Sequence, residues 1–185
     1  MLRGLALALA VLPLALAAAA CGHGDSFDGG VLHKGDLSVR VGPIPAQWTR
    51  VRIEGADLAY RDEAREGSTM FDVRCGRSSD APLTVLTEHL IMGTTGRDFV
   101  TQETLPLDGR EALHTLMRAK LDGVPMQYDI FVMKKDGCVY DLVYVAPPAR
   151  FTAGAADFER FATGLRATSP PVVAGGGGRG AASDP

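Results

Sequence analysis

The run VPMQYDIFVMKKDGCVYDLVYVA, from Val124 to Ala146, decides the fold. Tyr128, Ile130, Phe131 and Val132 precede Lys134, Lys135, Asp136 and Gly137, and Cys138, Val139, Tyr140, Leu142, Val143, Tyr144 and Val145 follow. Aromatic and β-branched side chains suit a pleated, half-buried surface, and Asp-Gly supplies the backbone angles of a tight chain reversal. The run therefore predicts two antiparallel strands joined at Asp136 and Gly137. Pro147 and Pro148 end the second strand, because proline cannot donate to a ladder and restricts the residue before it.

Working outward, Phe158, Phe161 and Leu165 share one helical face in a segment from about Ala153 to Leu165. Before the hairpin, Leu113, Leu116, Met117 and Leu121 fit a helix, while Leu113, Thr115, Met117, Ala119 and Leu121 alternate as in a strand, so periodicity leaves both open. Arg97 to Thr104 predicts a strand, and Pro82 to Met92 a helix with Leu83, Leu86, Leu90 and Ile91 inward, Ser79 or Asp80 as its cap and Gly93 near its end. Leu37, Val39 and Val41 alternate with polar neighbours; Trp48, Val51, Ile53, Leu58, Tyr60 and the Thr69 to Cys75 segment add further short strands. Antiparallel strands backed by at least two helices make an α+β sandwich.

Three tracts, Leu105 to Ala112, Leu121 to Pro125 and Lys134 to Ala146, resemble proteobacterial lipoproteins of unassigned function with a PsbP-like fold of the PsbP/DcrB type. The resemblance implies an antiparallel β-sheet flanked by helices, an α/β/α sandwich, over residues 37–168. It also implies a strand from Arg110 to Leu121, turned by Asp122 and Gly123, and a closing helix from Ala153 to Leu165. It brings no catalytic, cofactor or metal-ligand residues to any position of this chain.

The ends of the chain point to export. Met1 to Ala20 has one basic residue, Arg3, and then sixteen small or aliphatic residues broken by Pro13, the pattern of a secretory signal and too short for a spanning helix. Ala18, Ala19 and Ala20 before Cys21 resemble a bacterial lipobox, which implies cleavage before a lipid-modified Cys21; the plainer expectation is ordinary cleavage at the alanines, leaving a free thiol. Gly22 after the cysteine resembles lipoproteins sent to the outer membrane, facing the periplasm. Residues 21–36 predict a flexible glycine-rich tether, residues 37–168 one domain, and residues 169–185 a low-complexity tail carrying Pro170, Pro171 and Gly175 to Gly178.

Of 185 residues, 19 are basic and 22 acidic, a formal charge of −3, so nothing basic suggests nucleic acid as a partner. Losing the leader leaves 165 residues, the size of a single domain. In an oxidising compartment Cys75 and Cys138 predict a disulfide closing a loop of about 63 residues; two separate buried thiols or a redox or metal role stand as alternatives, the last without Cys-x-x-Cys spacing.

His23, His33, His89 and His114 show no zinc-hydrolase spacing, although Glu88 with His89, and Glu111 with His114, fit local pairs. Ser68, Ser78 and Ser79 lack a nucleophile elbow. Asp129, Asp136 and Asp141 suit strand and turn positions better than paired acid-base carboxylates. Gly93 to Gly96 lacks the lysine of a phosphate loop, and Gly109 and Gly123 mark reversals. Lys134, Lys135 and Arg97 suggest a solvated turn or a small lipid-facing cluster, while Tyr128, Tyr140, Tyr144 and Trp48 suggest packing before partner anchoring. The expected function is a noncatalytic, lipid-anchored envelope protein that supports or binds another envelope component and needs no cofactor. The alternatives are a carrier or sensor of a small apolar ligand in a cleft between sheet and helix, and, behind it, an envelope hydrolase.

Overall fold

The structure is a computed structural model that describes residues 25–76 and 80–168. The expected signal segment, Cys21, Ser78, Ser79 and the tail from residue 169 lie outside the described residues. The Val124 to Ala146 run forms β9 (Val124–Lys135) and β10 (Cys138–Ala146), paired antiparallel with Cys138 opposite Lys135. Asp136 and Gly137 both have positive φ, 51° and 76°, the conformation of a type I′ hairpin. The same Asp-Gly device turns β7 (Thr94–Leu107) into β8 (Arg110–Leu121) and β8 into β9. The segment that fitted two periodicities is thus the strand β8, as the resemblance implied.

On the other side of β10 lies β6 (Gly67–Cys75), followed by β5 (Leu58–Asp62) and β4 (Thr49–Val51), giving a seven-stranded sheet ordered β4-β5-β6-β10-β9-β8-β7. Helix α1 (Leu83–Leu90) packs on one face, and α2 (Pro148–Thr163) on the other. Strand β10 is buried along nearly its whole length because both faces are covered. Tyr140, Leu142 and Tyr144 enter the core with Phe131, Phe158 and Phe161 on the α2 side. Val139 and Val143 join Leu86, Ile91 and Tyr128 on the α1 side.

A second sheet was not foreseen. It is ordered β1 (Ser26–Asp28), β2 (Val31–Lys34), β3 (Leu37–Arg40) and β11 (Arg166–Thr168), and adds Leu32, Leu37 and Val39 to the α2-side core. The segment expected to be tether up to residue 36 therefore contributes two strands, with Leu32 only 2% exposed. Its glycines serve turns with positive φ, at Gly29, Gly30 and Gly35.

Two helix boundaries also differ from expectation. Helix α2 starts at Pro148, five residues early, because proline costs nothing in the first turn, where its missing N–H would have no intrahelical partner. Helix α1 is preceded by Pro82 with no side-chain cap, and Thr87 donates to the Leu83 carbonyl at 2.9 Å. Gly154 sits inside α2, where alanine would favour the helix by roughly 1 kcal/mol. A Cβ there would lie 2.1 Å from the Tyr144 hydroxyl oxygen, so the glycine admits the tyrosine.

Candidate functional site

Cys75 ends β6 opposite Cys138 at the start of β10, and their sulfurs are bonded at 2.05 Å. The neighbouring Gly76 N–H donates to Gly137 O at 3.0 Å, making Cys75 and Cys138 a non-hydrogen-bonded pair, where opposing Cα atoms approach most closely. Their Cα atoms are 4.0 Å apart. The bond staples the central strand to its neighbour and leaves neither sulfur as a free thiolate for a metal.

On the α2 face, His114 on β8 is bonded through Nε2 to Asp129 of β9 at 2.8 Å, with Glu103 of β7 at 3.7 Å from Nδ1, and stacks on Phe131 at 4.2 Å. Glu111, three residues away, would face His114 on a helix but not on a strand. Desolvation works to lower the His114 pKa, but the two carboxylates outweigh it and raise it above 6.5. Burial raises Asp129 against the opposing pull of His114. The His114–Asp129 contact ties β8 to β9 within the α2-side face. Nearby, Arg65 bonds Asp62 at 2.6 Å and lies 3.4 Å from Asp157, tying the β5–β6 turn to α2. Burial pushes the Tyr144 hydroxyl up to about 12, and it serves packing against Phe151 and Phe158.

The α1 face carries the candidate site, a cleft of about 280 Å³. Alternation along β6, β9 and β10 sends Met70, Tyr128, Val143 and Val145 into its floor, and Leu90 and Met92 at the end of α1 wall it. Ile53, Met92 and Leu121, three of the seven exposed large apolar side chains among the described residues, line it. Its polar end holds Asp72, Arg74 and Asp141. Arg74 bonds one Asp72 oxygen at 2.5 Å through one terminal nitrogen and Asp141 Oδ2 through the other. Asp141 is 3% exposed; burial, opposed by Arg74, pushes it up to about 6. Its Oδ1 and the Tyr128 hydroxyl oxygen are both buried without a hydrogen-bond partner. Buried polar atoms are normally paired; the Tyr60 and Tyr144 hydroxyls and His114 Nδ1 are also buried without a hydrogen-bond partner, on the α2 side, and the two on the α1 side belong to residues that line this cavity. A larger, open depression of about 720 Å³ beside Thr104, Pro106, Arg110 and Lys134 has no such group in its lining.

The remaining sequence candidates scatter. His89 is exposed on α1, and His33 bonds Ser38 at 3.0 Å in the small sheet. Lys134 and Lys135 are not a solvated turn: Lys134 donates to Ala81 O at 3.0 Å, and Lys135 bonds Asp108 at 2.6 Å and Ala167 O at 2.9 Å, linking the two sheets. Arg97 closes the α1–β7 connection by donating to Ile91 O at 2.8 Å. Trp48 packs on Tyr60 and Phe161. Among the described residues no group of three or more His, Cys, Asp or Glu could hold a metal ion. Arg74, Asp72 and Met70 of the cleft were missed; their alternation with Phe71 and Val73 was the available signal.

The architecture is the PsbP-like fold, an α+β sandwich of antiparallel sheets flanked by helices. Cyanobacterial PsbP (CyanoP) from Synechocystis superposes with a TM-score of 0.54 at 13% identity, covering 77% of this chain and 98% of its own. LpqN of Mycobacterium tuberculosis, described as involved in cell envelope biogenesis, superposes with a TM-score of 0.54 at 15% identity over 76% of this chain and 90% of its own. A protein from Bacteroides thetaiotaomicron gives 0.50 at 14% identity over 72% of this chain and 46% of its own. At these identities the likeness is one of fold. No protein-family model matches the chain, and no curated protein resembles it in sequence.

Proposed function

We propose that this chain is a noncatalytic, lipid-anchored protein of the bacterial envelope, held to the membrane through Cys21, that binds a small ligand in the α1-side cleft. The cleft is the observation that carries the proposal: an apolar pocket of about 280 Å³ with two buried, unpartnered polar atoms, Asp141 Oδ1 and the Tyr128 hydroxyl, on its wall. Apolar lining with a few convergent polar groups is the ordinary form of a ligand site, and the volume limits the occupant to a small molecule. The leader, the alanines before Cys21 and Gly22 support the anchor and an outer-membrane destination. Several acyl chains on one cysteine hold more firmly than the single chain that binds only marginally.

A protein partner, the other expected occupant, would find its place on the long outer edge of β7. Register shifts at Thr95 and Phe99, with Arg97, Asp98 and Glu103 along that strand, break the flat ladder that strand addition needs. The cleft is the better supported site.

Intact mass and membrane fractionation of the wild type beside Cys21→Ala, made in a bacterium that processes lipoproteins, test the anchor. The expected result is cleavage before Cys21, added acyl mass, and a membrane location lost in the variant; a soluble wild type without acyl mass overturns it. Native mass spectrometry of the soluble variant tests the cleft. A stoichiometric small-molecule adduct that disappears in Val143→Trp is expected, and an adduct unaffected by that substitution would place the ligand elsewhere.

A further inference from the structure

The charges around the polar end of the cleft decide what it can hold. Three carboxylates line it, Asp72 and Asp141 in the wall and Glu54 on the rim, against one cation, Arg74. Asp57, beside Asp72, belongs to the adjoining depression, where Arg50 and Arg52 stand and where Lys34 engages both its oxygens, at 2.8 and 2.9 Å. Arg74 is divided between Asp72 and Asp141, and its bond to Asp141 uses Oδ2 alone. The site therefore keeps an excess of negative charge, and Asp141 Oδ1 is a buried acceptor with nothing to accept from.

A carboxylate- or phosphate-headed molecule would meet repulsion here, since Arg74 is already shared by two anions. A neutral molecule would leave the excess unbalanced. A protonated amine is complementary: its N–H donates to Asp141 Oδ1 in a charge-assisted bond, and its apolar body covers Met70, Val143, Val145 and Leu90. We propose that the cleft is a site for a small organic cation, an ammonium head on a short apolar body, with Asp141 as its acceptor. This rests on the reading of the cleft as a ligand site, and adds to it the class of ligand.

The test uses the full exported chain carrying Cys21→Ser, purified without detergent, titrated calorimetrically with n-hexylamine, 1-hexanol and n-hexanoate at pH 7.5. Hexylammonium is expected to bind at one site at least tenfold more tightly than hexanol, with no binding of hexanoate. Asp141→Asn should bring the amine down to the affinity of hexanol, and Val143→Trp should abolish both. The comparison of the three probes on the unsubstituted cleft stands even if a variant fails to fold. Hexanol or hexanoate binding within tenfold of the amine overturns the cation assignment and leaves the cleft as a ligand site. Binding of none of the three overturns the cation assignment and the cleft reading together.

Discussion

His114 shows what a single residue contributes once its neighbours are known. Its folded pKa is raised above 6.5, so the stability it gives is fully present below pH 6.5 and is lost as pH rises through the folded value. Asp72, Asp129 and Asp141 are raised as well, and a raised carboxyl also costs stability as pH rises, from the ordinary carboxylate range up through its folded value, about 6 for Asp141. The wild type and His114→Gln share the Asp72 and Asp141 contributions, so the difference between them reports the His114–Asp129 pair. Urea denaturation from pH 6.5 to 8.5 should show the stability advantage of the wild type over His114→Gln shrinking as pH rises. The variant should also be weaker at pH 6 by about 3 kcal/mol, since a buried carboxylate has lost its cation. An undiminished slope in the variant would assign the pH dependence to another group. Sequence could not have found this pair, because His114 and Asp129 meet only through the β8–β9 register. Asp141 was assigned to a strand, but its burial against Arg74 depends on α1 and the 53–56 loop closing over that face.

At the scale of elements, legibility followed locality. The β9–β10 hairpin and α1 were readable because turn chemistry and periodicity reside in adjacent residues, and β8 became readable once its Asp-Gly turns were taken with the resemblance. Strands β1 and β2 were not, because they owe their existence to pairing with β3, which in turn pairs with β11 more than 120 residues later. Cys75 and Cys138 lie between these cases: each sits at a predicted strand end, and the sheet order brings them face to face. With a sequence separation of 63, the crosslink removes chain entropy from the unfolded state worth roughly 4 kcal/mol. Cys75→Ala with Cys138→Ala should lose about that much in urea denaturation, and reductant should destabilise the wild type without affecting the double variant. A double variant as stable as the oxidised wild type would mean that the β6–β10 ladder holds without its staple.

For the whole molecule, the ordered start of the chain changes how it would stand on a membrane. A tether running to residue 36 would let the domain roam, whereas β1 begins at Ser26, only five residues after Cys21. Five residue steps span at most about 18 Å, so a lipid on Cys21 would hold the small sheet against the headgroups. Asp25 and Phe27 line the same depression as Arg50 and Arg52, and the Arg50 guanidinium lies 4.9 Å from the Phe27 ring, so two cations stand beside the start of β1. Ala56 is shared between that depression and the cleft, so the cleft's rim adjoins this corner. Strand β7 is the edge of the seven-stranded sheet opposite β4, which Arg52 follows, and Thr101 on it is exposed. A photoreactive benzoylphenylalanine in place of Arg52 should therefore crosslink to phospholipid in intact membranes, while one in place of Thr101 should not. Equal lipid crosslinking at both positions would mean that the domain tumbles freely on its anchor, and labelling at 101 alone would mean that the opposite edge meets the bilayer. Crosslinking confined to position 52 would put the mouth of the cleft beside the lipid surface, where small amphiphilic cations accumulate at anionic headgroups and need travel only a short distance to reach Asp141.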